Sequence, residues 1–144
     1  MLRLAIDPGV YISALLSRRG PPFRLIELWN AGAYEVAVSP AVFAELRVVL
    51  SRDQFRSVGS DDIDNLFAAL EEHGLSFDDI PDPPAVTVDP KDDYLVALTR
   101  SAGATALVSG DAHLVDLPAH VCRVLTPRSA VSLVEEIDEA RPPS

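Results

Sequence analysis

Leu2-Arg3-Leu4-Ala5-Ile6-Asp7-Pro8-Gly9-Val10-Tyr11-Ile12-Ser13-Ala14-Leu15-Leu16 starts with a short apolar run, breaks at Asp-Pro-Gly, and resumes as a second, longer apolar-rich stretch. Leu2 to Ile6 reads as a strand and Val10 to Leu16 as a helix, so the stretch is the opening half of a βαβ unit. Short apolar runs continue to alternate with longer helical patterns down the chain, which is the signature of an α/β protein built on a parallel sheet.

Moving outward, Arg18-Arg19-Gly20-Pro21-Pro22 separates the first helix from a second, Pro22 to Ala31, and Tyr34 to Val38 reads as the second strand. Ser39 is placed to cap a helix opened by Pro40, because proline's missing N–H costs nothing at the first helical position. That helix runs to about Leu50. Asp61 to Glu72 carries Ile63, Leu66, Phe67 and Leu70 on one face and ends at Gly74. The proline-rich connection Pro81 to Pro84 leads to an expected third strand, Ala85 to Val88. Asp89-Pro90 starts a helix from Lys91 to about Ser101, closed by Gly103. Thr105 to Val108 and Val121 to Val124 are the fourth and fifth expected strands, and Pro127 to Ile137 the last helix. With 144 residues and 48% apolar content, the chain suits a single domain over residues 1–137, followed by a polar C-terminal tail, 138–144.

No apolar run reaches the roughly 20 residues of a membrane helix, and the N-terminus lacks a basic start followed by a long apolar stretch, so a cytoplasmic protein is expected. Cys122 is the only cysteine and, flanked by Val121 and Val124, is expected to be a buried strand thiol rather than part of a disulfide or metal cluster. The net charge of −10 excludes binding of nucleic acid mainly by phosphate neutralisation, which needs a basic face. It leaves open an enzyme that meets phosphate through a metal ion. All the basic residues except Lys91 are arginine, the type suited to bidentate phosphate contact, and Arg18, Arg19 and Arg24 can form a local positive rim or a solvated loop.

The candidate functional residues are acidic. In an open parallel sheet, ligands lie beyond the carboxyl ends of the strands, the place of Asp7 after the first strand and of Asp111 after the fourth. Each is equally suited to cap the following helix, and one carboxylate can serve both roles. Glu45 interrupts an apolar helical stripe formed by Val42, Leu46 and Val49. A carboxylate there needs a partner, either Arg52 two turns on or a cation shared with Asp7. Asp89, Asp92 and Asp93 crowd a helix start, where the helix dipole favours negative charge. Periodicity does not decide which of Asp92 and Asp93 points inward. Carboxylates gathered without basic partners call for a hard divalent cation such as Mg²⁺ or Mn²⁺. His73, His113 and His120 show no zinc-ligand spacing.

Ile6-Asp-Pro-Gly-Val-Tyr-Ile-Ser-Ala-Leu-Leu-Ser17, Val38-Ser-Pro-Ala-Val-Phe-Ala-Glu-Leu46, Asp89-Pro-Lys-Asp-Asp-Tyr-Leu-Val-Ala-Leu98 and Leu107-Val-Ser-Gly-Asp-Ala-His-Leu114, in this order, resemble the PIN-domain family, in particular its VapC-like members, the toxins of bacterial toxin–antitoxin pairs. The resemblance implies a three-layer α/β/α fold around a central, mainly parallel five-stranded sheet. It also implies a metal-dependent ribonuclease whose catalytic and metal-binding acids fall on Asp7, Glu45, Asp93 and Asp111, with Ser109 as the hydroxyl residue two before the last. Mg²⁺ or Mn²⁺ as cofactor, RNA as substrate, a cognate antitoxin and a homodimer belong to the same expectation.

The chain departs from the family at one motif. Asp7-Pro8-Gly9 stands where Asp-Thr-Asn or Asp-Ser-Asn is usual, removing a hydroxyl, an amide and a backbone donor. The alternative is therefore a binding module that keeps the fold and an antitoxin or RNA surface without turnover.

Overall fold

The computed structural model describes residues 1–140. Its elements are β1 (Arg3–Ile6), α1 (Pro8–Leu16), α2 (Pro21–Asn30), β2 (Glu35–Val38), α3 (Pro40–Leu50), α4 (Ser60–His73), β3 (Leu75–Ser76), α5 (Asp93–Ser101), β4 (Ala106–Val108), α6 (Ala112–Val115), β5 (Val124–Leu125) and α7 (Pro127–Ala140). Two 3-10 turns, Asp53–Phe55 and Pro90–Asp92, precede α4 and α5. The five strands form one parallel sheet in the order β3-β2-β1-β4-β5. Leu4, Ala5 and Ile6 of β1, Val36 to Val38 of β2 and Ala106 to Val108 of β4 are buried, as expected of strands covered on both faces. The connections β1 to β2 to β3 move outward in one direction, and β3 to β4 returns across the sheet. Right-handed crossovers therefore set α5, which packs on β1, β2 and β4, on the face opposite α1 and α2.

The α/β class, the parallel five-stranded sheet and the main helices agree with the sequence reading. The third strand does not. Ala85 to Val88 is irregular, because the N–H groups of Val86 and Thr87 are taken by the Asp93 side chain instead of by a strand, and Val88 is exposed. The strand is Leu75–Ser76, in register with Ala37 and Val38 of β2. It follows α4 directly through Gly74, where a Cβ would lie 2.4 Å from the Leu70 carbonyl oxygen and 2.9 Å from Val38 Cγ2. Only glycine allows helix end and strand to approach so closely.

Smaller shifts have equally local causes. β5 begins at Val124, because the N–H groups of Val121 and Cys122 turn back to the Pro118 carbonyl, and Cys122 is buried in that turn rather than in the strand. Ser39 precedes α3, but its buried hydroxyl makes no cap. Asp79 Oδ1 instead accepts the Ala41 N–H at 3.2 Å, so a carboxylate from a distant loop caps α3. α7 runs to Ala140, three residues into the stretch expected as tail, and residues 141–144 lie outside the described ones.

Candidate active site

The direction of chain winding reverses between β1 and β4, which puts a crevice beyond their carboxyl ends. The ladder carries Asp7 to its edge, since the Asp7 N–H donates to the Val108 carbonyl at 2.9 Å. Asp7 caps α1, its Oδ1 accepting the Gly9 N–H at 3.0 Å. Its Oδ2 accepts the hydroxyl of Ser109 at 2.7 Å. Ser109 is fully buried, and its Oγ also accepts the Asp111 N–H at 3.0 Å. One hydroxyl thus ties the end of β1 to the loop after β4. Asp111 caps α6 by accepting the His113 N–H on Oδ1 at 2.9 Å. Both strand-end acids therefore act as caps, and each oxygen keeps a further lone pair for another partner.

Glu45 is half-buried on α3, and its Oε2 accepts the Tyr94 hydroxyl from α5. Burial pushes the Glu45 carboxyl above the usual range; the Tyr94 bond and Arg52 oppose this, while Asp7 and Asp89 add to it. Arg52 acts only at a distance, because no salt bridge joins it to Glu45.

Asp92 and Asp93 separate sharply. Asp92, half-buried before α5, has its carboxyl pushed up to about 6, first by burial and then by the fields of Asp7, Asp89, Asp111 and Glu45. Asp93 is only 5% exposed and turns into the preceding loop. Its Oδ1 accepts the Val86 N–H (3.1 Å), the Thr87 N–H (2.9 Å) and the Thr87 hydroxyl (2.6 Å). The Thr87 hydroxyl first, then the two backbone donors, hold the Asp93 carboxyl below its usual range against the cost of burial. The structure brings Asp7, Glu45, Asp89, Asp92 and Asp111 into one field, while Asp93 Oδ1 anchors residues 86–87.

The PIN-domain family profile matches residues 3–113. This chain belongs to the PIN-domain family. Among solved structures, the PIN domain resembles a chain of the VapBC2 complex from Rickettsia felis, solved bound to a DNA fragment from its promoter. That match has a TM-score of 0.61 at 14% identity and covers 87% of this chain and 98% of the other. A chain of the FitAcB structure from Neisseria gonorrhoeae matches with a TM-score of 0.50 at 16% identity, over 87% and 98% of the two chains. No curated protein sequence gives a significant match.

PIN domains are nucleases that generally use divalent metals. The donors here fit a hard cation: they are carboxylates, four of which repel a charge on Asp92, with only the distant Arg52 as a basic influence at Glu45. Among the described residues, no three acidic, histidine or cysteine side chains already converge at metal-binding distance. In the first motif, Pro8 is buried at the start of α1 and Gly9 offers only its backbone N–H, already used by Asp7. Of the expected arginine rim, Arg24 is engaged by Glu135 at 3.1 Å and Glu27 at 3.8 Å, while Arg18 and Arg19 are exposed.

Sequence reasoning missed Thr87 and Tyr94. Both act on acids outside their own helical repeat, so no periodicity marks them. The only available signal was composition, a tyrosine and a threonine next to three aspartates.

Proposed function

We propose that this PIN domain is a Mg²⁺- or Mn²⁺-dependent endoribonuclease, the cytoplasmic toxin of a toxin–antitoxin pair, acting as a homodimer on RNA and restrained by a cognate antitoxin. The observation that carries the reading is the gathering of Asp7, Glu45, Asp92 and Asp111 from four separate segments at the crevice between β1 and β4, where the neighbouring acids raise the proton affinity of Glu45 and Asp92. Family membership and the toxin–antitoxin complexes among the structural neighbours support it.

In this reading Asp7, Asp92 and Asp111 hold the cation, directly or through water, and Glu45 completes the set. Asp92 takes the place that the family resemblance put on Asp93, whose carboxylate is engaged by the loop. A bound Mg²⁺ or Mn²⁺ supplies Lewis-acid chemistry, a more acidic water and a less negative phosphate. Ser109 keeps Asp7 and the Asp111 backbone in fixed relation. Glu45 Oε1, the oxygen not engaged by Tyr94, orients the attacking water and receives its proton, a task suited to a carboxylate whose pKa is raised. No side chain serves as nucleophile. The test is RNA cleavage by Asp7→Asn against wild type in matched metal; an unchanged rate would overturn the assignment.

A second reading, a binding module without turnover, is favoured by Pro8-Gly9, where the first motif carries neither hydroxyl nor amide. A Cβ at Gly9 meets only Asp7 Oδ1, at 3.7 Å, so Gly9→Asn fits the fold. Cleavage gained on Gly9→Asn, from an inert wild type, identifies the native chain as such a module. Cleavage by the wild type excludes it.

A further inference from the structure

Tyr94 reacts with nothing in the reading above, yet it is bonded to one of the acids assigned to the site. It is half-buried at the second position of α5, and its hydroxyl donates to Glu45 Oε2 across 49 residues of sequence. Among the described residues no other side-chain hydrogen bond joins α3 to α5. The first turn of α5 is itself pinned: Asp93 is locked into the 86–87 loop by three hydrogen bonds, so its neighbours Asp92 and Tyr94 flank a fixed point.

We infer that Tyr94 is a positioning residue of the metal site, its hydroxyl holding the Glu45 carboxylate in one orientation. The inference rests on the metal-dependent reading above. A hydroxyl donating to a carboxylate confines its rotamer. It also occupies one oxygen, leaving the other for the cation or its water. A glutamate deprived of that donor samples more rotamers and presents its free oxygen to a metal less often. Outer partners of metal ligands typically contribute about 10 to 100-fold in metal affinity.

The experiment is Mn²⁺ titration of the full chain by calorimetry, on wild type, Tyr94→Phe, Glu45→Gln and the double variant, with thermal melts confirming that each folds. Tyr94→Phe is expected to weaken Mn²⁺ binding by about 10-fold or more. In the Glu45→Gln background the same change should add nothing, because the hydroxyl acts through that carboxylate. Wild-type affinity in Tyr94→Phe, or full additivity of the two changes, would overturn the positioning role while leaving the metal site standing. Absence of Mn²⁺ binding by the wild type would overturn the metal-dependent reading and this inference with it.

Discussion

Replacing Asp92 with asparagine should make the metal-free protein more stable and remove most of its response to Mn²⁺. In the folded chain the Asp92 carboxyl is pushed from 3.8 up to about 6 by burial and by Asp7, Asp89, Asp111 and Glu45. Each unit corresponds to 1.36 kcal/mol, so the full shift sets a ceiling of about 3 kcal/mol of destabilisation above pH 6. Solvent screening of a half-exposed group reduces this to roughly 1 kcal/mol, or about 3 °C in melting temperature for a domain of this size. The sign follows from linkage. An acid whose folded pKa lies above its unfolded value disfavours the fold once ionised, so the penalty is present above about pH 6 and relieved as pH falls toward 4. Wild type without metal should therefore gain stability between pH 7 and pH 5, and Asp92→Asn should lack that part of the gain. Asp92 makes no side-chain cap to α5, so asparagine loses no hydrogen bond there. The assay is thermal melting at both pH values, with and without millimolar Mn²⁺, which must raise the melting point if it binds only the folded state. A lower melting point for the metal-free variant, or a Mn²⁺ shift as large as the wild type's, would refute this reasoning.

Asp93→Ala should behave in the opposite way, costing about 2 to 4 kcal/mol through the Val86 and Thr87 N–H groups left without their acceptor, seen as a lower melting point and faster proteolysis at residues 80–90. Because the Asp93 carboxyl is held below its usual range, the stability it supplies is present at neutral pH and lost as pH falls through the acid range, so acid unfolding of the wild type should be blunted in this variant. Ser109→Ala removes the hydroxyl joining Asp7 to the Asp111 backbone and should weaken Mn²⁺ binding by about 10 to 100-fold; calorimetry showing wild-type affinity would deny Ser109 that role. Gly74→Ala should destabilise the fold at the junction of α4 and β3, since its Cβ meets the Leu70 carbonyl at 2.4 Å, and a chemical-denaturation midpoint equal to wild type would contradict that geometry.

The α/β class, the main helices and the places of Asp7, Glu45 and Asp111 were legible in the sequence, because each depends on local pattern. Apolar runs such as Leu4 to Ile6 and Ala106 to Val108 mark buried strands, an acid directly after them marks a strand end, and Glu45 breaks a helical stripe. What lay outside any local window was settled by docking. Whether Val86 and Thr87 form a strand depends on who accepts their N–H groups, and Asp93 does. Asp93 accepts the Val86 and Thr87 donors while Asp92 lies in the fields of Asp7, Asp89, Asp111 and Glu45, so two adjacent aspartates of equal propensity acquire opposite environments. Tyr94 meets Glu45 only because α3 and α5 converge beyond the strand ends. Periodicity reports the faces of one element; the partners of a charged side chain, and hence its proton affinity and its chemistry, exist only when distant elements share one low-dielectric crevice.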